Sequence, residues 1–232
     1  MLEFNAIWSS LKDAGVVEEL IVTLQQMYAS SRSAISLNGK KVPIEIGRGV
    51  RQGDSISPKL FVLALHGAIN RLNWEERGLR IDGIHLSYLA FADDIVLFSR
   101  NRTELEEMLS ELSNCVKPVG LEINFEKTVY MGNREYATVR PLKCETHEVK
   151  SVKSFKFLGA RISLPMDFKI TVKQRIAIAQ SVFNSLKIVF CRPRYPMTLK
   201  RHLFMSKILP SLTYGCETWT QSAEEMDLIS KA

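Results

Sequence analysis

The sequence predicts an α+β domain followed by a mostly helical, basic module. Three observations carry this expectation. Apolar residues in the first half of the chain switch between helical and strand spacing. Turn residues at Asn38-Gly39 and a break at Ala92-Asp93-Asp94 divide the strand-like runs into hairpins. The charge is uneven: residues 1–116 carry 12 Lys+Arg against 15 Asp+Glu, residues 117–210 carry 18 against 6, and residues 211–232 carry 1 against 4. The middle stretch alone stands at +12, against +6 for the whole chain. Such asymmetry marks a surface facing a polyanion, and nucleic acid is the commonest one inside a cell.

The elements follow in order. Phe4 to Ala14 and Val16 to Tyr28 have apolar residues at helical spacing, broken by Gly15. Ala34 to Leu37 and Val42 to Ile46 read as two strands joined at Asn38-Gly39. A polar, glycine-containing loop from Gly47 to Ser57 leads to a helix running to about Asn73, with Ser57 as its expected N-cap and Pro58 pre-set for the first turn. Ile84 to Phe91 and Ile95 to Ser99 are strand-length runs on either side of Ala92-Asp93-Asp94. Thr103-Glu-Leu-Glu106 has the spacing of a capping box and opens a helix that Pro118 and Gly120 stop. Its acidic residues, Glu104, Glu106, Glu107 and Glu111, read as a solvated outer face.

Leu121 to Phe125 and Lys127 to Met131 read as short strands, and Phe155 to Ile162 as a further one bent at Gly159. From Asp167 to Phe190 an apolar stripe runs at helical spacing, with Lys169 and Lys173 one turn apart on the outside. Another helix, Thr198 to Leu209, should end at Pro210.

Composition narrows the function classes. With 46% hydrophobic and 24% charged residues the balance is globular, and a chain of this size buries roughly 70% of its unfolded surface. The longest apolar run, Leu60 to Leu65, is far short of the ~20 residues of a bilayer span. Met1 to Trp8 has no secretory pattern. An intracellular location, nucleus or cytoplasm, is expected, and no membrane association. Cys115, Cys144, Cys191 and Cys216 lie 25 or more residues apart with no C-x-x-C spacing, so reduced thiols are expected; Cys144 and His147 lack a second ligand pair.

The chemistry is concentrated in Phe91-Ala92-Asp93-Asp94. Neighbouring strand residues point to opposite faces, so two adjacent carboxylates can share a metal only where the backbone turns. A hairpin apex between buried arms supplies that turn, and two like charges held so close call for a cation. Taken alone, an Asp-Asp pair in a loop is more often a solvated turn, and the apolar flanks favour the metal reading; magnesium, which takes carboxylate and phosphate oxygens, would suit such a pair.

Phe91-Ala92-Asp93-Asp94 resembles the F/Y-x-D-D hairpin of reverse transcriptases. Arg51-Gln52-Gly53-Asp54-Ser55-Ile56-Ser57-Pro58 is similar to the family's R-Q-G-D-x-x-S-P motif. Gly120-Leu-Glu-Ile-Asn124-Phe-Glu-Lys127-Thr128 resembles its G-L-x-x-N-x-x-K-T segment, and Phe155-Lys-Phe-Leu-Gly159 the turn called the primer grip. Tyr214-Gly-Cys-Glu-Thr-Trp219 looks like a stretch that follows the thumb in LINE-type, non-LTR members. The resemblance covers nearly the whole chain.

It implies a palm sheet with helices on one side and a helical thumb: residues 1–150 as partial fingers and palm, 151–210 as primer-grip hairpin and thumb, and 211–232 as a post-thumb segment whose order the sequence leaves open. It implies RNA-directed DNA synthesis with Asp93 and Asp94 at magnesium (manganese a substitute), Lys127 protonating leaving pyrophosphate, and Arg51, Gln52 and Gly53 against template and nucleotide. Phe155, Phe157, Leu158 and Gly159 would hold the primer end, while Lys169 and Lys173 would track the duplex backbone. The implied partners are an RNA template, a DNA primer and deoxynucleoside triphosphates, with no stable protein partner.

One departure stands beside these matches. Family members carry an A-F-D-S-V strand ahead of a segment resembling Glu3 to Trp8, and this chain begins at Met1, so little polymerase activity is expected of it alone. Two other readings are a nucleic-acid-binding remnant without chemistry and a group II intron-type enzyme. A nucleotide cyclase would need a G-G-D-E-F-like turn that the sequence lacks.

Overall fold

The computed structural model describes residues 1–133, 140–164, 166–219 and 223–231; of the 211–232 segment, 220–222 and 232 lie outside the described residues. The chain divides into two compact units, one of residues 1–128 and 140–150, the other of residues 129–139 and 151–232.

In the first unit, α1 (Phe4–Asp13), α2 (Glu18–Ala29), α3 (Ser57–Ile69) and α4 (Arg102–Val116) close around one core. Their helical spacing places Ile7, Leu11, Ile21, Leu24, Ala64 and Met108 inside it. Tyr28 lies between Phe4 and Trp8 in edge-on contacts at 5.5 and 5.7 Å. Short antiparallel hairpins decorate this helical body: β1 (Arg32–Leu37) with β2 (Lys40–Glu45), β3 (Leu79–Ile81) with β4 (Ile84–Leu86), β5 (Tyr88–Phe91) with β6 (Asp94–Leu97), and β8 (Leu142–Cys144) with β9 (His147–Ser151), while the short strand β7 (Val129–Tyr130) falls in the second unit.

In the second unit β10 (Ser154–Phe157) and β11 (Ala160–Ser163) form a hairpin ahead of the long helix α5 (Phe168–Cys191), which Asp167 caps by accepting from the Lys169 amide at 3.0 Å. α6 (Met197–Leu203), a π-helical turn (Phe204–Ile208), α7 (Leu209–Thr213) and α8 (Ala223–Ser230) follow, with α7 and α8 on α5. No described helix is long and apolar enough to cross a membrane.

Helices and strands are mixed as the sequence predicts, but several expectations need correction. Among the described residues none of the five hairpins is hydrogen-bonded to another, so they do not merge into one palm sheet; each two-residue turn satisfies its own pair of strands locally. The run from Ile84 to Phe91 is interrupted at Ser87, because Asp82-Gly83 already turns β3 back along β4. Phe155 to Ile162 reverses at Leu158-Gly159 instead of bending. Of the two strands expected between Leu121 and Met131, only Val129–Tyr130 forms.

Ser57 is not a cap: Ile56 holds that position, and the Ser57 hydroxyl is buried without a partner. The cap of α4 is Asn101, whose Oδ1 accepts from the Glu104 amide at 2.9 Å, while Glu104 reaches back to the Arg100 amide at 2.7 Å. A related arrangement thus starts two residues earlier than Thr103, with Glu104 reaching the amide before the cap instead of the cap's own. The acidic face of α4 is a set of clamps: Glu106 pairs with Arg102 at 3.1 Å, and Glu111 with Arg77 at 2.8 Å. Pro210 does not end its helix, because the π turn before it resets the ladder and Pro210 falls in the first turn of α7, where its missing N–H breaks no bond.

Candidate functional site

The carboxylate pair stands at the tip of the β5–β6 hairpin. Phe91 pairs with Asp94 in register, so Ala92 and Asp93 make the whole turn. Ala92 takes φ 54° while Asp93 stays on the negative side, the signs of a type II′ turn, whose first position favours glycine. Both aspartates are exposed. The base of the hairpin is fixed: Tyr88 meets Trp74 edge-on at 5.9 Å, and Tyr88, Ile95 and Leu97 pack on the core. The tip is not, for Leu89 is 48% and Phe91 63% exposed. The arms are therefore not buried as expected, because no further strand covers this two-stranded unit among the described residues.

The loop before α3 is tied to α2 by Arg51. Its Nε donates to Ser31 Oγ at 3.0 Å, its Nη2 donates to the Met27 carbonyl, and its guanidinium lies 5.2 Å from the Tyr28 ring centre. Val50 and Ile56 anchor the loop on the core. Gln52 is exposed, and Gly53, at φ 88°, has nothing within 4 Å of where a Cβ would stand. Conformation alone asks for glycine there, and the space above it is open to a ligand.

Asn124 shapes the third segment. Its carbonyl accepts from the Lys127 and Thr128 amides at 3.1 and 3.0 Å, and its Oδ1 accepts from Lys127 at 3.2 Å. That turn puts Lys127 in solvent, its ammonium without an ion pair among the described residues. Leu121 and Ile123 seat the segment on the core. Asp93 and Asp94, Arg51 to Gly53, and Lys127 thus rise from three segments rooted in one hydrophobic body.

The remaining candidates belong to the second unit. Phe155 and Phe157 lie on β10 with ring centres 6.3 Å apart, Leu158 and Gly159 form the turn at φ 47° and 83°, and Lys169 and Lys173 are exposed on α5. Sequence reading missed Arg175, which is 7% exposed and donates from Nη2 to the Gly159 carbonyl. A charged residue between Val172 and Ala179 of an apolar stripe was the available signal.

Among the described residues no three His, Cys, Asp or Glu side chains come together in a way that could hold a metal ion. At the apex itself Asp93 and Asp94 leave two exposed carboxylates side by side in sequence. Two carboxylates by themselves are not a closed protein cage for a metal ion.

Residues 3–162 match the family of reverse transcriptases (RNA-dependent DNA polymerases). The chain is 34% identical over 151 residues to an uncharacterized transposon-derived protein of Caenorhabditis elegans, covering 61% of this chain and 52% of that protein. It is 30% identical over 135 residues to the Pol polyprotein of the retrotransposable element R2DM of Drosophila melanogaster, covering 56% of this chain and 12% of the other. With the Pol polyprotein of an R2 element of Popillia japonica it shares 24% identity over 219 residues, 89% of this chain and 34% of the other. The chain spans about half the length of the first relative and less of the other two.

Proposed function

The chain belongs to the reverse transcriptase (RNA-dependent DNA polymerase) family, and from that premise we propose that its β5–β6 hairpin is the carboxylate-bearing part of a nucleotidyl-transfer site in a LINE-type, non-LTR retrotransposon protein. The observation that carries the reading is the apex itself: a turn of Ala92 and Asp93 that leaves two adjacent carboxylates exposed on a hairpin rooted in the core.

Members of the family generally use divalent metals. We take magnesium as the ion, with manganese able to replace it, and Asp93 and Asp94 as the residues that would hold it. A bound ion supplies charge neutralisation at the phosphate oxygens. The chain's own residues do the rest. Gln52 and Gly53 would face the templating base and incoming nucleotide, Gly53 admitting close approach to its backbone. Arg51 positions that loop through its bonds to the end of α2 more than it binds ligand. Lys127, in solvent on its turn, would give a proton to leaving pyrophosphate.

Phe155, Phe157, Leu158 and Gly159 would seat the primer end. Lys169 and Lys173 would lie against the duplex backbone, a contact independent of sequence and weakened by salt. The partners in this reading are an RNA template, a DNA primer and deoxynucleoside triphosphates.

One observation favours a second reading, nucleic-acid binding without chemistry: the described residues gather two carboxylates and no cluster of three. Primer extension on an RNA template with magnesium separates the two. It compares the chain, a version extended upstream through an A-F-D-S-V strand, and the extended version carrying Asp93→Ala. DNA made only by the extended form with Asp93 intact supports the polymerase site. Primer-template binding with no extension by any form favours the second reading. Extension that survives Asp93→Ala removes the hairpin from the chemistry.

A further inference from the structure

We infer that Arg175 and Tyr214 are positioning residues that clamp the Leu158–Gly159 turn from behind, so that α5 and the segment after α7 fix the surface on which a primer 3′ end is seated. The inference rests on the reading of residues 155–159 as the primer-holding turn.

The central carbonyls of a two-residue hairpin turn ordinarily point into water. Here side chains from far along the chain take both. Arg175 Nη2 donates to the Gly159 carbonyl, 16 residues back, and Tyr214 Oη donates to the Leu158 carbonyl at 3.1 Å, 56 residues back. The two donors also hold each other, the Arg175 guanidinium lying 4.4 Å from the centre of the Tyr214 ring. A Cβ on Gly159 would stand 3.1 Å from both Arg175 Nη2 and Tyr214 Cε1, so turn, guanidinium and ring are in mutual contact with no room between them. Leu158 keeps its side chain outward, 40% exposed, at φ 47°.

Burial makes the arrangement informative. Arg175 is 7% exposed, and no carboxylate among the described residues pairs with it. Its charge is met by one carbonyl and one aromatic face, interactions that strengthen when water is excluded. An apolar side chain would fill the same volume without desolvating a cation. What the guanidinium adds is direction: it fixes the turn carbonyl, and Tyr214 fixes its neighbour, in a conformation that leaves Leu158 outside. The clamp touches no reacting atom in this reading and acts through the turn.

The test compares the affinity of the chain, by fluorescence anisotropy, for a primer-template duplex with a recessed 3′ end and for the same duplex with both ends closed by loops. Tyr214→Phe removes only the hydrogen bond and keeps the ring under Arg175, and at an exposed position it leaves folding intact. Arg175→Lys removes the planar stacking. The intact chain is expected to prefer the recessed end. Each variant should lose about fivefold of that preference, the weight of one hydrogen bond, with unchanged affinity for the closed duplex. Both variants retaining the full preference, or losing affinity for the two duplexes equally, would overturn the clamp. An intact chain that binds both duplexes alike would instead sink the primer-holding reading of the turn, and the inference with it.

Discussion

Phe91 and Asp94 are register partners across β5 and β6, and the residue that lets them meet, Ala92, stands at φ 54°. A side chain in the left-handed region costs about 1–2 kcal/mol, partly offset in glycine by its larger loss of backbone freedom. Ala92→Gly is therefore expected to raise stability by up to about 1 kcal/mol, and Ala92→Val, β-branched at the same φ, to lower it by more than about 1 kcal/mol. Urea midpoints of the two variants read the sign. A lowered midpoint for the glycine variant would mean that the turn is not strained.

Asp93 and Asp94 should report metal as a change in stability. Manganese with a deoxynucleoside triphosphate at saturating concentration is expected to raise the unfolding free energy of the intact chain by about 2.7 kcal/mol, the mass-action gain at roughly a hundred times the dissociation constant. Neither alone should do as much, because the two carboxylates leave coordination open to phosphate oxygens. Asp93→Asn should abolish the gain. Without metal it should be at least as stable as the intact chain, having lost a like-charge neighbour. Thermal unfolding with and without the ion measures both.

Glu111 joins the root of the hairpin to α4. Its Oε2 accepts from the indole Nε1 of buried Trp74 at 2.7 Å, and its Oε1 accepts from Arg77 at 2.8 Å. Glu111→Ala leaves the indole donor unsatisfied, at a cost of about 1–2 kcal/mol for a half-exposed partner. Glu111→Gln keeps an acceptor and should lose less. Equal losses in chemical denaturation would assign the effect to charge instead of to the indole bond.

The β8–β9 hairpin should loosen in acid. The Glu145 carboxyl is held below its ordinary value, first by the hydrogen bond from the Lys117 ammonium at 2.6 Å, with Ser113 and nearby positive charge adding to it. A lowered folded-state value means stability that is present above the ordinary glutamate range and lost as pH falls through the folded value. Stability followed from pH 7 downward should fall less steeply in Glu145→Gln than in the intact chain. Identical slopes would remove the pair from the acid response.

The turns that carry Asp93, Asp94 and Lys127 were legible in the sequence because their local hydrogen bonding is set by their own residues. Phe91 to Asp94 encode a reversal between apolar runs, and Asn124 organises the turn that carries Lys127 within four residues. α1, α2 and α5 follow from apolar spacing for the same reason. Choices between near-equivalent local solutions were not legible: Asn101 and Thr103 could each cap α4, and packing selected Asn101.

Sequence by itself determined the α+β content, the hairpin that carries Asp93 and Asp94, and the basic second half of the chain. Tertiary structure alone decided that Arg51 struts its loop against Ser31 and Met27, that Arg175 lies buried behind Gly159, that among the described residues the hairpins do not merge into one sheet, and that Phe91 is left exposed. Periodicity records which side of an element faces the core. Which distant carbonyl, ring or strand waits there is fixed only when the elements pack, because such partners lie tens of residues away and leave no trace in local spacing.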